Sequence, residues 1–121
     1  MSTTIRDYKD LGVWQLAMVL AVEAYQLAVK LPPNERFELA SQLRRSAASI
    51  PANIAEGFGC QSLGDYVRFL RVANGSLKEL ETQILLAERL GLLEVGAGDV
   101  ALELCSRCGQ MLTALKRSLT R

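Results

Sequence analysis

The feature that most constrains this fold is an apolar repeat in the middle of the chain, where spacings of three and four residues alternate without a break. Its positions are Leu63, Tyr66, Leu70, Ala73, Leu77, Leu80, Ile84 and Ala87. Such a repeat forms one apolar stripe along a helix, as in a helical bundle or a coiled coil. Ser62 and Asp65 form a capping-box-like pair at its start, and Gly91 follows its end. The pattern predicts a long helix over about 62–90, packed against other helices.

Three further stretches keep helical spacing, and the chain shows no convincing period-two alternation of a strand. These stretches lie at about 10–30, 34–56 and 99–119. A chain of 121 residues has room for only one hydrophobic core. Four helices with short connections therefore predict an all-α fold, an antiparallel up-and-down four-helix bundle that forms a single domain over residues 1–121.

Proline and glycine mark the ends of the first two helices. Pro32 should end the first helix, because proline cannot continue a helix, and Asn34 is the expected N-cap of the second. Gly57 and Gly59 are expected to end the second helix. Pro51 lies inside it and lacks the N–H group that a helical hydrogen bond requires, so we expect a kink or a split there.

Two of the helices have short apolar lines that should face the core. The line on the second helix consists of Leu43, Ala47, Ile50 and Ile54. The line on the fourth helix consists of Ala101, Leu104, Cys108, Met111, Leu115 and Leu119.

The first helix is more apolar than one seam of a bundle requires. Its polar residues Gln15, Glu23, Gln26 and Lys30 fall within an arc of about 80°, which leaves most of the circumference apolar. The excess predicts that the helix is buried twice, once in its own bundle and once against another subunit. Because the same polar residues interrupt the apolar run, we do not expect it to span a membrane.

Composition narrows the chemistry. The chain contains no histidine, which removes the commonest general base and the commonest metal ligand. Cys105 and Cys108 form a CxxC in mid-helix, and together with Cys60 they are expected to be structural thiols, so no metal and no cofactor are predicted. The opening residues balance two basic with two acidic side chains, unlike a secretory signal, and a cytoplasmic location is expected.

A polar line runs beside the apolar line of the second helix. It consists of Gln42, Ser46, Ser49, Asn53 and Glu56, and it could meet Ser76, Glu79 and Gln83 of the third helix. One interpretation is a ligand or acid–base site built on Glu56 and Glu79. The other, which we favour, is a structural polar network that fixes helix register or a subunit interface. Two carboxylates without a metal or a nucleophile do not specify a reaction, so we expect a protein that is not an enzyme.

The outer face of the third helix is basic. Opposite the apolar stripe lie Gly64, Arg68, Arg71, Gly75, Lys78, Thr82, Leu86 and Arg89, with four cations and no carboxylate. Arg44 and Arg45 could extend this face, and Lys116, Arg117 and Arg121 form a basic end. One interpretation is a track for the phosphates of a nucleic acid, read with little sequence preference because no aromatic residue interleaves the cations. The alternative is a merely solvated face.

Two strings resemble a known family. QLRRSAASIPANIAEG at 42–57 and ANGSLKELETQ at 73–83 are similar to the signature of bacterial four-helix bundle proteins encoded in intervening sequences of 23S ribosomal RNA. The motif resemblance extends from about Tyr8 to Gly91, and the helix pattern agrees to the end of the chain. One departure is Glu38, where the family pattern has a small glycine.

The resemblance implies an antiparallel four-helix bundle that assembles as a homopentameric ring. It also implies kinship with the accessory variability determinant of diversity-generating retroelements, a basic pentamer that binds nucleic acid and a reverse transcriptase. Carried over to this chain, it implies structural or interfacial roles for Ser49, Asn53, Glu56, Ser76 and Glu79. It makes Arg44 and Arg45 candidate nucleic-acid contacts and implies no catalytic residue.

The leading hypothesis is a non-enzymatic, ring-forming homo-oligomer that binds RNA or DNA with low sequence specificity. The candidate contacts are Arg44, Arg45, Arg68, Arg71, Lys78 and Arg89. The alternative is a protein–protein assembly adaptor without nucleic-acid binding, whose partner, by family analogy, could be a reverse transcriptase. The net charge of +1 gives no strong overall field toward nucleic acid.

Overall fold

The computed structural model describes residues 4–120, and within them the chain is all-α, with four long helices and no strand. The helices are α1 (Gly12–Lys30), α2 (Leu39–Phe58), α3 (Leu63–Arg89) and α4 (Asp99–Leu119). Two single-turn 3₁₀ helices, Tyr8–Asp10 and Pro33–Glu35, precede α1 and α2.

Each helix packs against two others. α1 contacts α2 and α4, and α3 contacts the same two helices, so α1 and α3 lie at opposite corners of the bundle. The predicted apolar line of α2 is confirmed, since Leu43, Ala47, Ile50 and Ile54 are fully buried. The α3 repeat is buried from Leu70 to Ala87. These side chains form one continuous core.

The repeat of α3 departs from the prediction at its first turn. Leu63 is 60% exposed, and Val67 is buried instead. The apolar seam of α3 is therefore covered by the other helices only from the second turn onward. Ser62 nevertheless caps the helix as predicted, because its hydroxyl accepts the N–H of Asp65 at 3.1 Å.

The predicted start of the second helix is wrong. Asn34 lies inside the short 3₁₀ helix, and α2 begins five residues later, at Leu39. The N–H groups of Glu35 and Arg36 bond to the carbonyls of Pro32 and Pro33, each three residues back, which closes a tight turn. The non-helical backbone of Glu38 then separates this turn from α2.

The expected split at Pro51 does not occur, since α2 continues without a break from Leu39 to Phe58. Pro51 is buried in the core, and α2 tolerates the missing backbone hydrogen bond there. Gly57 also does not end α2. A Cβ atom at Gly57 would lie 3.0 Å from Cβ of Phe69, so this glycine lets α2 approach α3 closely.

Hydrogen bonds hold the connection between α3 and α4 at both of its ends. Gly91, with φ of 73°, ends α3 in a Schellman motif, in which the N–H of Leu92 bonds to the carbonyl of Ala87 at 2.9 Å. The carboxylate of Glu88 then accepts the N–H groups of Gly96 and Gly98, each at 3.2 Å. Glu88 thereby holds the loop against the start of α4.

The buried face of α4 is rotated from the predicted one. Ala101 and Cys108 are buried as expected, but the other fully buried positions are Cys105 and Leu112, whereas Met111 is 37% exposed. Leu104, Leu115 and Leu119 are only partly buried at the edge of the core. The inward face of α4 therefore combines the small side chains of Ala101, Cys105 and Cys108 with one large one, Leu112.

The predicted apolar excess of α1 is present on its outer side. The exposed apolar residues are Met18, Val19, Val22, Tyr25 and Val29, which we call the α1 patch. By length and composition alone α1 could cross a bilayer, with a mean hydropathy of 1.3 over the best window, of which one third is buried in the bundle. The patch is therefore a surface that this chain by itself leaves uncovered.

Candidate functional site

The polar line of α2 meets polar residues of α3 in a hydrogen-bonded network. The hydroxyl of Ser46 donates a 2.6 Å hydrogen bond to Oε1 of Gln83, and the hydroxyls of Ser49 and Ser76 lie 2.7 Å apart. Nδ2 of Asn53 donates to the carbonyl and to the hydroxyl of Ser49, at 2.8 and 2.9 Å. The Ser46–Gln83 and Ser49–Ser76 bonds join α2 to α3, so the network favours one register of the two helices.

The remaining members of the predicted polar set lie at the rim or away from it. Gln42 and Glu79 line an open cavity of about 420 Å³ above the network, together with Arg45. Glu56 is exposed and does not line this cavity. The cavity therefore contains one carboxylate and one guanidinium, and the paired carboxylates of an acid–base site are not assembled in it.

Two cations of the basic outer face of α3 form ion pairs with acidic side chains that lie beside that face. Nζ of Lys78 lies 2.9 Å from a carboxylate oxygen of Glu81, and Nε of Arg68 lies 3.7 Å from one of Asp65. Both acids are three residues away along the helix, at the edge of the face. Arg71 and Arg89 are exposed and have no ion-pair partner among residues 4–120.

The two arginines of α2 point to different sides of the helix. The guanidinium of Arg44 donates to the carbonyl of Arg36 at 3.2 Å and lines a groove beside the α1 patch. Arg45 lies in the polar cavity between α2 and α3. The structure therefore does not place them on one surface, and only Arg45 is near the outer face of α3. Of the predicted basic end, Arg117 is exposed and Lys116 is half-buried, whereas Arg121 lies outside the described residues.

A groove between α3 and α4 is the main feature that the sequence patterns missed. It has a volume of about 520 Å³, and its lining is mostly small and polar. The lining residues are Asn74, Lys78, Glu81, Cys105, Ser106, Gly109, Gln110, Thr113, Ala114 and Arg117. The available signal was the spacing of Ser106, Gln110 and Thr113, which places three polar residues on one side of α4.

Two of the three thiols are sequestered in the core. Burial raises the pKa of the Cys105 thiol to about 12, with a further contribution from Glu81, and burial raises the pKa of Cys108 to about 11. A protonated thiol is a poor nucleophile and a poor metal ligand. Cys60 is half-buried at the end of α2, where its thiol lies 3.4 Å from the carbonyl oxygen of Glu56. Among residues 4–120, no three Cys, Asp or Glu side chains are grouped as they would be to hold a metal ion.

Comparison with known proteins gives one family. A family model described as 23S rRNA-intervening sequence protein matches residues 9–114, which cover all four helices except the last residues of α4. A search of curated proteins finds no match.

Proposed function

Since the chain belongs to the 23S rRNA-intervening sequence protein family, we propose that it is a non-enzymatic homo-oligomer that binds RNA or DNA with low sequence specificity through basic outer surfaces. The observation that carries this proposal is the position of Arg71, Arg89 and Arg45. All three are exposed and have no ion-pair partner among residues 4–120, so they can neutralise phosphates without first breaking a contact. The family name supports an RNA-related role.

Low sequence specificity follows from the residue types. Arginine and lysine bind phosphates, which are the same at every nucleotide, whereas sequence is read at the edges of the bases. On the basic outer face of α3, the ring of Phe69 lies under the guanidinium of Arg68 at 4.6 Å and is half-buried. It is therefore poorly placed to stack on a base.

The proposed bundle is antiparallel. The pairing of α2 with α3 supports this direction, because Ser46 bonds to Gln83 whereas Ser49, further along α2, bonds to Ser76, which lies earlier in α3. The short connections between consecutive helices have the same implication.

The proposed oligomer is a ring, with five subunits as the family resemblance implies. A ring needs two different surfaces on each subunit, which meet head to tail. The α1 patch is one surface, and the exposed Val72 and Leu90 of α3, which lie beside its basic face, belong to a second. Because α1 and α3 do not contact each other within the bundle, these are two separate surfaces, as head-to-tail contacts between subunits require.

Binding can be tested by fluorescence anisotropy of labelled RNA and DNA over a salt series, with the mass of the protein in solution measured on the same sample. We expect log affinity to fall linearly with log salt, with a slope that reflects several phosphates. The triple variant Arg45→Ala, Arg71→Ala and Arg89→Ala should lose most of the affinity. The matched control is Arg6→Ala, Lys9→Ala and Lys30→Ala, which removes the same charge from exposed sites elsewhere.

The second candidate function is a protein–protein assembly adaptor in the cytoplasm, with a partner such as a reverse transcriptase by family analogy. The ion pairs of Lys78 and Arg68 favour it, because they reduce the free positive charge of the outer face. A well-formed oligomer that binds neither RNA nor DNA at low salt would contradict the first proposal and favour the adaptor function.

A further inference from the structure

The groove between α3 and α4 is open to solvent and has the size of a ligand site. Its volume of about 520 Å³ lies within the range of roughly 300–1,000 Å³ that is typical of small-molecule pockets. The groove exists because α4 approaches α3 through Gly109, where a Cβ atom would lie 3.3 Å from Cδ2 of Leu77. On the outer side of this contact the small side chains of Ser106, Thr113 and Ala114 leave space open.

Two cations face this groove from opposite helices. Lys78 of α3 forms a 2.9 Å ion pair with Glu81, whose side chain is about three-quarters buried; both residues line the groove, so Glu81 positions the ammonium group and offsets part of its charge. Arg117 of α4 has no ion-pair partner among the described residues. Arg71, Asn74, Lys78 and Glu81 follow one another at spacings of three, four and three, which places Arg71 on the same edge of α3.

The groove also presents polar groups that are not engaged by other side chains, three of them on the exposed residues Ser106, Gln110 and Thr113. Within residues 4–120, the amides of Asn74 and Gln110 and the hydroxyls of Ser106 and Thr113 form no side-chain hydrogen bond. An amide can both donate and accept, as can a hydroxyl. The cavity between α2 and α3 differs, because its serine hydroxyls already bond within the protein. The groove beside the α1 patch differs too, because it is almost wholly apolar.

We propose that the α3–α4 groove seats a nucleotide of a single-stranded RNA, with its phosphate between Lys78 and Arg117 and its ribose against Asn74 and Gln110. This inference rests on the proposed function and names the part of the surface that binds. The 2′-hydroxyl is the group that distinguishes RNA from DNA, and free amides beside a phosphate site are suited to bind it. The groove therefore gives a preference for RNA over DNA of the same sequence, which the outer cations alone do not.

The test compares two variants that change different parts of the groove, measured by anisotropy with labelled oligouridine RNA and the oligodeoxyuridine of equal length. Arg117→Ala should weaken RNA binding about tenfold and reduce the salt slope by about one phosphate. Arg107→Ala is its matched control, because Arg107 is an exposed arginine of the same helix that does not line the groove. The uncharged double variant Asn74→Ala and Gln110→Ala should weaken RNA binding and leave DNA binding unchanged.

The outcomes separate this inference from the proposed function. If the protein binds RNA, and loses binding in the triple variant of Arg45, Arg71 and Arg89 but not in either groove variant, the groove inference is wrong and the proposed function stands. If the protein binds no nucleic acid, both fail. If uridine monophosphate binds as tightly as the oligomer, the groove is a mononucleotide site and the inference of an RNA strand is wrong. Circular dichroism of each variant checks that the substitution leaves the fold intact.

Discussion

At the residue scale, two glycines inside helices have opposite surroundings. A Cβ atom at Gly57 would lie 3.0 Å from Cβ of Phe69 and 3.2 Å from the backbone oxygen of Tyr66, neither of which can rotate away. A Cβ atom at Gly75 would meet nothing within 4 Å. Alanine has a higher helix propensity than glycine at both positions. The neighbouring atoms therefore decide whether a glycine-to-alanine substitution raises or lowers the stability of the protein.

We expect Gly57→Ala to lower the free energy of unfolding by about 1–3 kcal/mol, because the added methyl group pushes α2 away from α3. Gly75→Ala should raise it by about 0.5–1 kcal/mol. Urea denaturation of both variants at one protein concentration measures the difference. If Gly57→Ala is as stable as Gly75→Ala, the close packing of α2 on α3 at this point is wrong.

The buried thiols give a pH dependence at the same scale. Below the ordinary thiol pKa of 9.0, Cys105 is protonated in both the folded and the unfolded chain. As the pH rises above this value the unfolded chain releases the proton, whereas the folded chain keeps it until about 12. The unfolded state thus binds fewer protons, and stability falls as the pH rises through this window. We expect the free energy of unfolding to fall less between about pH 8.5 and about pH 10.5 in Cys105→Ala than in the wild-type protein. An unchanged pH dependence would contradict the burial of this thiol.

At the element scale, one carboxylate organises the junction of α3 and α4. Glu88 accepts two backbone N–H groups of the loop, from Gly96 and Gly98, and these groups have no helical partner. Gly98 is buried against Ile84, so the loop is both packed and hydrogen-bonded. The start of α4 is therefore fixed by a residue of α3.

We expect Glu88→Ala to lower the free energy of unfolding by about 1–3 kcal/mol, because two N–H groups lose a charged acceptor. Glu94→Ala removes an exposed carboxylate from the same loop and should change stability by less than about 0.5 kcal/mol. Thermal denaturation followed by circular dichroism compares the two. If both variants lose the same stability, the loss of charge is responsible rather than the hydrogen bonds from Glu88 to the loop.

At the scale of the whole molecule, the α1 patch is the surface with the clearest need of a partner. Its five apolar residues are contiguous on one helix, and a monomer would leave them in water. Four of them, Met18, Val22, Tyr25 and Val29, line a groove whose surface is almost wholly apolar and which Arg44 also lines. A second copy of the chain covers such a surface in the ring that we propose.

We expect Val22→Asp to dissociate the oligomer, because the substitution places a charge in the centre of the buried patch. Val95→Asp is the control, since Val95 is 95% exposed in the loop before α4. Light scattering of the two variants at micromolar concentration measures the mass. A wild-type monomer with an intact fold would refute the oligomer, and partition of the wild-type protein into lipid vesicles would show that α1 contacts a bilayer instead.

The sequence by itself determined the elements whose signal is local. The repeat of α3 identified its core face from Leu70 onward, and the line of α2 was right at each position, because helical periodicity depends only on spacing along the chain. The end of α3 at Gly91 was also predictable, because glycine readily adopts the positive φ that ends a helix. The spacing of polar residues along α2 and α3 also identified the polar set, but it did not show which of these residues form hydrogen bonds with each other.

Tertiary structure alone decided which surfaces those elements share. The inward face of α4 depends on the corner between α1 and α3, so its own periodicity pointed to Met111 where the core holds Leu112. Arg44 and Arg45 are neighbours in sequence but lie at different grooves, because consecutive residues of a helix are about 100° apart. The groove of Lys78 and Arg117 joins residues far apart along the chain, and only the packing of α3 on α4 brings them together.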